Sequence, residues 1–222
     1  KPGFCSDPVV HTFCAAGGAP PNVLPTLQAM AAQYTWAGGA TAAWGTSTNW
    51  SPSRSSAATS DTLIFNGGSA TTATGVATAT IGRLVVSNNT SVTLSATTTN
   101  QTLTMSNSGQ ALSVAAGSSV TVSGASVITL TVATGSTGNI AGSVTLAGAA
   151  HRMVATDASS IVFANGGSFT AGTSASGALF SGSNATGVIL RLGSINDSRV
   201  FANAGVGVHS DGGSIALSGN TI

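Results

Sequence analysis

The sequence has very little charge, and glutamate is absent. Its 222 residues include six Lys and Arg and five acids, all aspartate, which gives a net charge of +1. Six scattered cations do not form the basic patch that nucleic-acid binding needs. Long surface helices need Glu and Lys, which are almost missing. No run of about 20 apolar residues is present, so no transmembrane helix is predicted.

Small uncharged residues take the place of the missing charge. Alanine, glycine, serine and threonine together make up more than half of the chain, and the mean hydropathy is +0.36. A disordered chain would combine low hydropathy with high charge, so a folded chain is expected. The apolar residues occur as short triplets between Gly, Ser, Asn and Thr, and this texture predicts an all-β protein.

Only two cysteines are present, Cys5 and Cys14. Their spacing predicts a disulfide loop that contributes about 2.5–3 kcal/mol, and it indicates an oxidising, extracytoplasmic location. Two reduced, buried thiols are the alternative. Five of the six prolines lie within residues 1–33, and a helix-compatible stretch follows Pro25 at 26–33. We expect residues 1–33 to form a disulfide arm, with a signal peptide already removed.

The apolar triplets from residue 63 onward recur in three interleaved series. Each series repeats roughly every 22–29 residues, and three short strands per period are typical of a parallel β-solenoid. The first residues of the triplets are Leu63, Val92, Val120, Val144, Phe169 and Ile195; Leu103, Leu130, Met153, Leu179 and Val200; and Leu84, Leu112, Ile140, Ile161, Val188 and Ile215. We predict a single solenoid of about six three-strand coils over residues 63–222. A β-sandwich is the alternative, but it would lack the threefold phase.

The third series also predicts which side chains stack in one wall of the core, and a recurring turn predicts a corner between strands. One wall of the core should contain Leu84, Leu112, Ile140, Val162, Ile189 and Ala216. The turn Asn66-Gly67-Gly68-Ser69 recurs at 165–168 and, with Asp in place of Asn, at 211–214. Gly and Asn supply the positive-φ conformations that such corners need.

Residues 34–65 carry a resemblance to a known family. They resemble the opening of autotransporter-type bacterial surface β-helices, and the strands that follow are similar to the repeats of those passenger domains, over residues 34–150. The resemblance rests on Tyr34-Thr35-Trp36-Ala37-Gly38-Gly39, Trp44, Asn49-Trp50, Pro52 and Asp61-Thr62-Leu63-Ile64-Phe65. It implies export to the bacterial surface and a right-handed β-helix. Because no C-terminal membrane barrel is recognisable in the sequence, we expect export through an ordinary secretion signal.

All three tryptophans lie in the segment 34–62, which we interpret as a cap. Trp36, Trp44 and Trp50 are expected to plug the first coil, because an open coil end exposes apolar side chains. The alternative is a platform on which sugars stack.

No residue pattern indicates catalysis. The five acids are Asp7, Asp61, Asp157, Asp197 and Asp211, and none is close to another in sequence. Asp157 and Asp211 lie about two coils apart, so a polysaccharide-acting enzyme with an inverting acid pair is the remaining enzymatic alternative. His11, His151 and His209 are isolated, and no nucleophile stands in a known catalytic frame. We predict a protein that is not an enzyme and that has no metal site or cofactor.

Thr-x-Thr pairs raise a second possibility. A regular threonine array on a flat face can order water and bind ice, whereas ordinary β-propensity would also enrich threonine. The pairs are Thr72/Thr74, Thr78/Thr80, Thr97/Thr99, Thr102/Thr104 and Thr129/Thr131, and they do not recur in one phase beyond residue 131.

The function we predict is structural: an extracellular subunit of a head-to-tail filament or surface matrix. Ile222 lies one period after Ile195, so the sequence ends as a new coil would begin, and an uncapped coil invites another β edge. We expect Leu217 and Ile222 of one subunit to meet the arm of the next, which offers Val9, Val10 and Phe13. An arm folded back on its own solenoid would give a monomer. The alternative function is a binding module for surface glycans or ice.

Overall fold

The chain divides into two compact units, residues 1–30 and residues 31–222. A computed structural model describes part of the second unit, namely residues 31–147, 151–155, 159–163, 167–171, 180–182, 189–192, 198–201, 207–210 and 214–217. The predicted arm residues Cys5, Val9, Val10, Phe13 and Cys14 lie outside the described residues, as does Ile222. The helix-compatible stretch 26–33 lies mostly outside the described residues, and its last residue, Gln33, begins a strand.

Strand is the main secondary structure of the described residues, and apart from β3 the strands pair in parallel. Sheet A contains β1 (Gln33–Trp36), β3 (Trp50–Ser51), β4 (Thr62–Phe65), β7 (Arg83–Val86), β10 (Gly109–Val114), β13 (Ser136–Ile140), β16 (Ser160–Phe163), β19 (Ile189–Leu192) and β21 (Gly207–Ser210). Sheet B contains β2 (Thr41–Ala43), β5 (Ala70–Thr74), β8 (Ser91–Ser95), β11 (Ser119–Ser123), β14 (Ser143–Leu146) and β17 (Ser168–Ala171). Sheet C contains β6 (Ala79–Ile81), β9 (Gln101–Met105), β12 (Ile128–Val132), β15 (Arg152–Ala155) and β18 (Phe180–Gly182). Strands β20 (Ser198–Phe201) and β22 (Ser214–Leu217) form a fourth, two-stranded sheet.

The chain visits sheets A, B and C in turn, which confirms the predicted parallel β-solenoid. Five complete three-strand coils run from β4 to β18, one fewer than predicted. After β18, the described strands are β19 and β20, and sheet A is reached again at β21, where Val208 lies opposite Leu190, 18 residues earlier (208 − 190).

Alternation within each strand places the core inside the coils. In β8, for example, Val92 and Leu94 are buried while Ser91, Thr93 and Ser95 face outward. Successive coils lie about 4.8 Å apart, and each backbone hydrogen-bonds with the coils before and after it. The aliphatic side chains therefore stack into a continuous core from Leu63 to Phe169.

The predicted wall is correct only for Leu84 and Leu112, which lie opposite each other. The next residue in that row is Gly138, and Ile140 pairs with Val114 instead; a β-bulge between Gln110 and Leu112 accounts for one residue of this two-residue difference. A bulge inserts one residue into a single strand and changes the pairing beyond it. Val162 lies one position after the row, and Ile189 lies one position before it. Ala216 pairs with Val200 in the fourth sheet.

The series also assigned some strands to the wrong face. Leu63-Ile64-Phe65 belongs to sheet A, since Leu63 pairs with Leu84 rather than Val92. Its place in sheet B is taken by β5, whose sequence Ala-Thr-Thr-Ala-Thr contains no large apolar residue. The predicted turn at 66–69 does connect sheets A and B, with Gly68 at φ 69°.

Backbone contacts occupy parts of the N-terminal edge of sheets A and B. Strand β3 runs antiparallel on β1, with Trp50 opposite Trp36. In sheet B, the carbonyl oxygen of Ala43 accepts hydrogen bonds from Nδ2 of Asn49 at 2.8 Å and from the amide of Thr46 at 3.3 Å. These contacts satisfy groups that an edge strand would otherwise present to another chain.

Candidate functional site

The three tryptophans form one buried cluster with Phe65. The Trp50 ring lies edge-on to Trp36 and Trp44, with centroids 4.9 and 5.2 Å away, and Phe65 lies 5.3 Å from Trp36. Their exposed fractions are 8%, 3% and 2% for Trp36, Trp44 and Trp50. Rings buried to this degree present no open face for a sugar to stack on, so the geometry disfavours the platform. A capping role stays a prediction.

Hydrogen bonds fix the indole rings in place. Nε1 of Trp50 donates to the carbonyl oxygen of Trp44 at 2.9 Å. Nε1 of Trp36 donates to Oγ1 of Thr71 at 2.9 Å, and that hydroxyl donates to the carbonyl oxygen of Gly39 at 2.8 Å.

A cavity of about 320 Å³ lies beside the tryptophan cluster, and its uncharged lining includes Trp36 and Phe65. The rest of the lining is glycine, alanine, serine, threonine and asparagine.

A buried ion pair lies in the loop between β3 and β4. Nε of Arg54 donates to Oδ2 of Asp61 at 2.8 Å, and the amide of Ala58 donates to the same oxygen at 2.9 Å. The carbonyl oxygen of Asp61 accepts from the amides of Gly82 and Arg83 in the next coil. Asp61 therefore anchors a loop, and its carboxylate is occupied by structural contacts.

The outer surface of sheet B is a regular array of hydroxyl groups. Its central column contains Thr41, Thr72, Thr93, Thr121 and Thr145, each paired in register with the next, and Thr170 occupies the following register position. A second column contains Ala70, Ser91, Ser119, Ser143 and Ser168, and a third contains Ala43, Thr74, Ser95 and Ser123. The columns lie about 6.6 Å apart along the strands, and coils repeat at about 4.8 Å.

Sheet C carries a shorter threonine array. Thr80, Thr104 and Thr131 pair in register, as do Thr102 and Thr129. The next coil replaces these two columns with Arg152 and Val154. The predicted Thr-x-Thr pairs therefore stack in sheet C only through residue 131, whereas the column in sheet B continues for two more coils.

His151 is buried at the corner that precedes sheet C. Its side chain has 0% exposure, and its Nδ1 accepts a hydrogen bond from the amide of Ile128 at 3.0 Å. Nε2 is also buried. Burial lowers the pKa of His151 below its ordinary value of 6.5; hydrogen bonding to the carbonyls of Ala147 and Gly124 acts in the opposite direction and is the smaller effect.

The other candidate groups are separated or lie elsewhere. Asp7, Asp157, Asp197, Asp211 and His11 fall outside the described residues. Within the described part, no group of three or more His, Cys, Asp or Glu residues is placed to hold a metal ion. No helix in that part is long and apolar enough to cross a membrane.

Two features were missed in the sequence analysis, the hydroxyl columns of sheet B and the contact of His151. Only the columns have a signal in the sequence. Ser-Val-Thr occurs at 91–93, 119–121 and 143–145, and it marks the columns of sheet B. The contact of His151 had no such signal, because its partner is a backbone amide 23 residues away.

No family model, curated protein or solved structure matches this chain. The structure supports a β-solenoid, which is compatible with a β-helix. The resemblance to autotransporter passenger domains therefore stays a prediction.

Proposed function

We propose that this protein is a structural element of an extracellular surface or matrix, assembled from copies joined end to end. The observation that carries the proposal is the difference between the two ends of the described solenoid. At the N-terminal end, β3 covers sheet A in the antiparallel direction. At the other end, the parallel strands β21 and β22 are the outermost described strands of their sheets. Two unlike ends favour a heterologous, head-to-tail contact.

The lateral surface is consistent with such a role. Its charge is low, since the described strands β4 to β18 contain only Arg83 and Arg152 as charged residues. The one carboxylate described, that of Asp61, is buried against Arg54. A scaffold needs a stable repeating backbone and few reactive groups, and the described coils provide both.

The partly covered N-terminal edge limits how copies can join. A partner strand cannot add in parallel beside β1, because β3 occupies that side. We therefore propose that the C-terminal strands of one copy contact the residues 1–30 unit of the next. Val9, Val10 and Phe13 would supply the added strand, and Leu217 and Ile222 would supply the receiving edge.

Sedimentation and negative-stain electron microscopy of the intact protein test this proposal. We expect concentration-dependent long assemblies, which deletion of residues 1–20 or the Leu217→Asp/Ile222→Asp double substitution abolishes while the circular dichroism of the solenoid persists. Ser113→Asp is the matched control, because it adds a charge on a lateral face of sheet A. An intact protein that stays monomeric at high concentration, without filaments on the grid, contradicts the proposal.

The hydroxyl array of sheet B favours a second candidate function, which is binding to ice. An uncharged face with two constant spacings can hold a layer of water in register with the protein. The central threonines also carry methyl groups, so the face is less strongly hydrated than a charged one. Ice recrystallisation in the presence of the intact protein tests this candidate.

We expect Thr93→Lys/Thr121→Lys to abolish inhibition of ice growth, because two lysines interrupt the central column. Ser113→Lys on sheet A is the control and should retain full inhibition. Ice growth that the intact protein leaves unchanged, or equal loss in both variants, contradicts ice binding.

A further inference from the structure

His151 links two successive coils through its side chain. It immediately precedes β15, and its Nδ1 accepts the amide of Ile128, the first residue of β12 in the preceding coil. The imidazole therefore supplies an acceptor to the backbone ladder. Nδ1 is then without a proton, so the neutral ring carries its proton on Nε2.

Neighbouring coils use side-chain acceptors at the same corner, but those acceptors do not titrate. The amide of Val127 donates to Oδ1 of Asn100 at 3.0 Å, and the amide of Thr78 donates to Oε1 of Gln101 at 2.6 Å. An amide oxygen keeps its lone pairs across the ordinary pH range. Among these three described side chains, only His151 stops being an acceptor when it is protonated.

The carbonyls of Ala147 and Gly124 favour an imidazolium ion at this position less than burial disfavours it, and no described charge of opposite sign adds to them. Strands β11, β12 and β14 contain no titratable side chain. In β15 the titratable group is the guanidinium of Arg152, which is exposed and adjacent in the chain. No carboxylate of the described residues belongs to the elements around the ring.

We propose that His151 is an acid-sensitive latch between two coils. When the ring gains a proton, Nδ1 becomes a donor and faces the amide of Ile128, which is also a donor. The hydrogen bond breaks, and the ladder between β12 and β15 opens at its first rung. The coils before β12 keep their own contacts and stay folded. Acid thus loosens the attachment of the later coils without unfolding the earlier ones.

Hydrogen exchange on the full chain tests the latch at single amides. Protection factors, corrected for intrinsic exchange, are measured at pH 7.5 and pH 5.0. We expect the protection of the Ile128 amide to fall at least tenfold at the lower pH, while that of Val120 in β11 stays unchanged. His151→Asn should lose this response, because its Oδ1 can accept the same amide at both pH values.

The His11→Asn/His209→Asn double variant is the matched control, and it should keep the response of the intact protein. An intact protein whose Ile128 amide is equally protected at both pH values overturns the proposal. Equal loss of protection in His151→Asn also overturns it. If that variant does not fold, imidazole NMR of the intact protein decides: titration of His151 at or above pH 6.5, with an unmoved Ile128 amide signal, rules the latch out.

Discussion

Arg54 and Asp61 are joined by a hydrogen bond of 2.8 Å between Nε and Oδ2, and both side chains are buried. Nη2 of Arg54 lies 2.8 Å from the same oxygen without the alignment of a second hydrogen bond. The guanidinium also lies 5.8 Å from the centre of the Tyr34 ring. This pair holds the loop that leads into the first complete coil.

Removing one partner of this pair should destabilise the protein strongly. We expect Asp61→Ala to lower the free energy of unfolding by about 3–5 kcal/mol, because it leaves the Arg54 charge buried and unpaired. Arg54→Met/Asp61→Ala should lose less than Asp61→Ala alone, since no buried charge remains. Urea unfolding followed by circular dichroism measures both variants. A double variant less stable than Asp61→Ala would contradict this explanation.

The tryptophan cluster predicts a graded effect at Trp50. Trp50→Ala leaves a large cavity between Trp36, Trp44 and Phe65 and should cost about 3–5 kcal/mol. Trp50→Phe keeps most of the ring contacts but leaves the carbonyl oxygen of Trp44 without its donor, so we expect a cost of about 1–3 kcal/mol. Equilibrium unfolding in urea compares the two. Equal losses would show that ring packing contributes little here.

Gly142 marks a close approach between two coils. A Cβ there would overlap the carbonyl oxygens of Ser118 and Ala115, which are backbone atoms and cannot rotate away. We expect Gly142→Ala to lower the free energy of unfolding by about 1–3 kcal/mol, the usual range for overpacking. Gly45→Ala is the control, because a Cβ at Gly45 meets no described atom within 4 Å. Thermal unfolding of both variants checks the contrast, and equal melting temperatures would refute it.

His151 also predicts the pH dependence of global stability. Its folded pKa lies below the ordinary 6.5 because burial penalises the charged ring. As the pH falls below 6.5, the unfolded chain gains a proton that the folded chain does not, so the free energy of unfolding decreases until the folded pKa is reached. Above pH 6.5 this group has no effect. Urea midpoints at several pH values should show the decrease in the intact protein and not in His151→Asn; parallel profiles would contradict it.

The sequence predicted the solenoid because stacking needs only a repeated apolar triplet, and Leu103, Leu130 and Met153 show one directly. It failed for β5, where Thr71 and Ala73 fill inward positions beside larger neighbours. It also failed in β13, where a glycine, Gly138, follows Leu112 in the row and Ile140 pairs with Val114 instead. The Arg54–Asp61 pair was missed since a loop, not a strand period, brings the two together.

Coils of unequal length in residues advance the solenoid by the same distance along its axis. Leu63, Leu84 and Leu112 occupy successive positions in one row, although the first two are 21 residues apart (84 − 63) and the next two are 28 apart (112 − 84). Both coils advance the structure by the same ~4.8 Å, and the extra residues lengthen corners such as the exposed segment 97–100. Sequence can therefore be inserted at a corner while every downstream side chain keeps its neighbours, and removal of one whole coil would shorten the molecule by one fixed step.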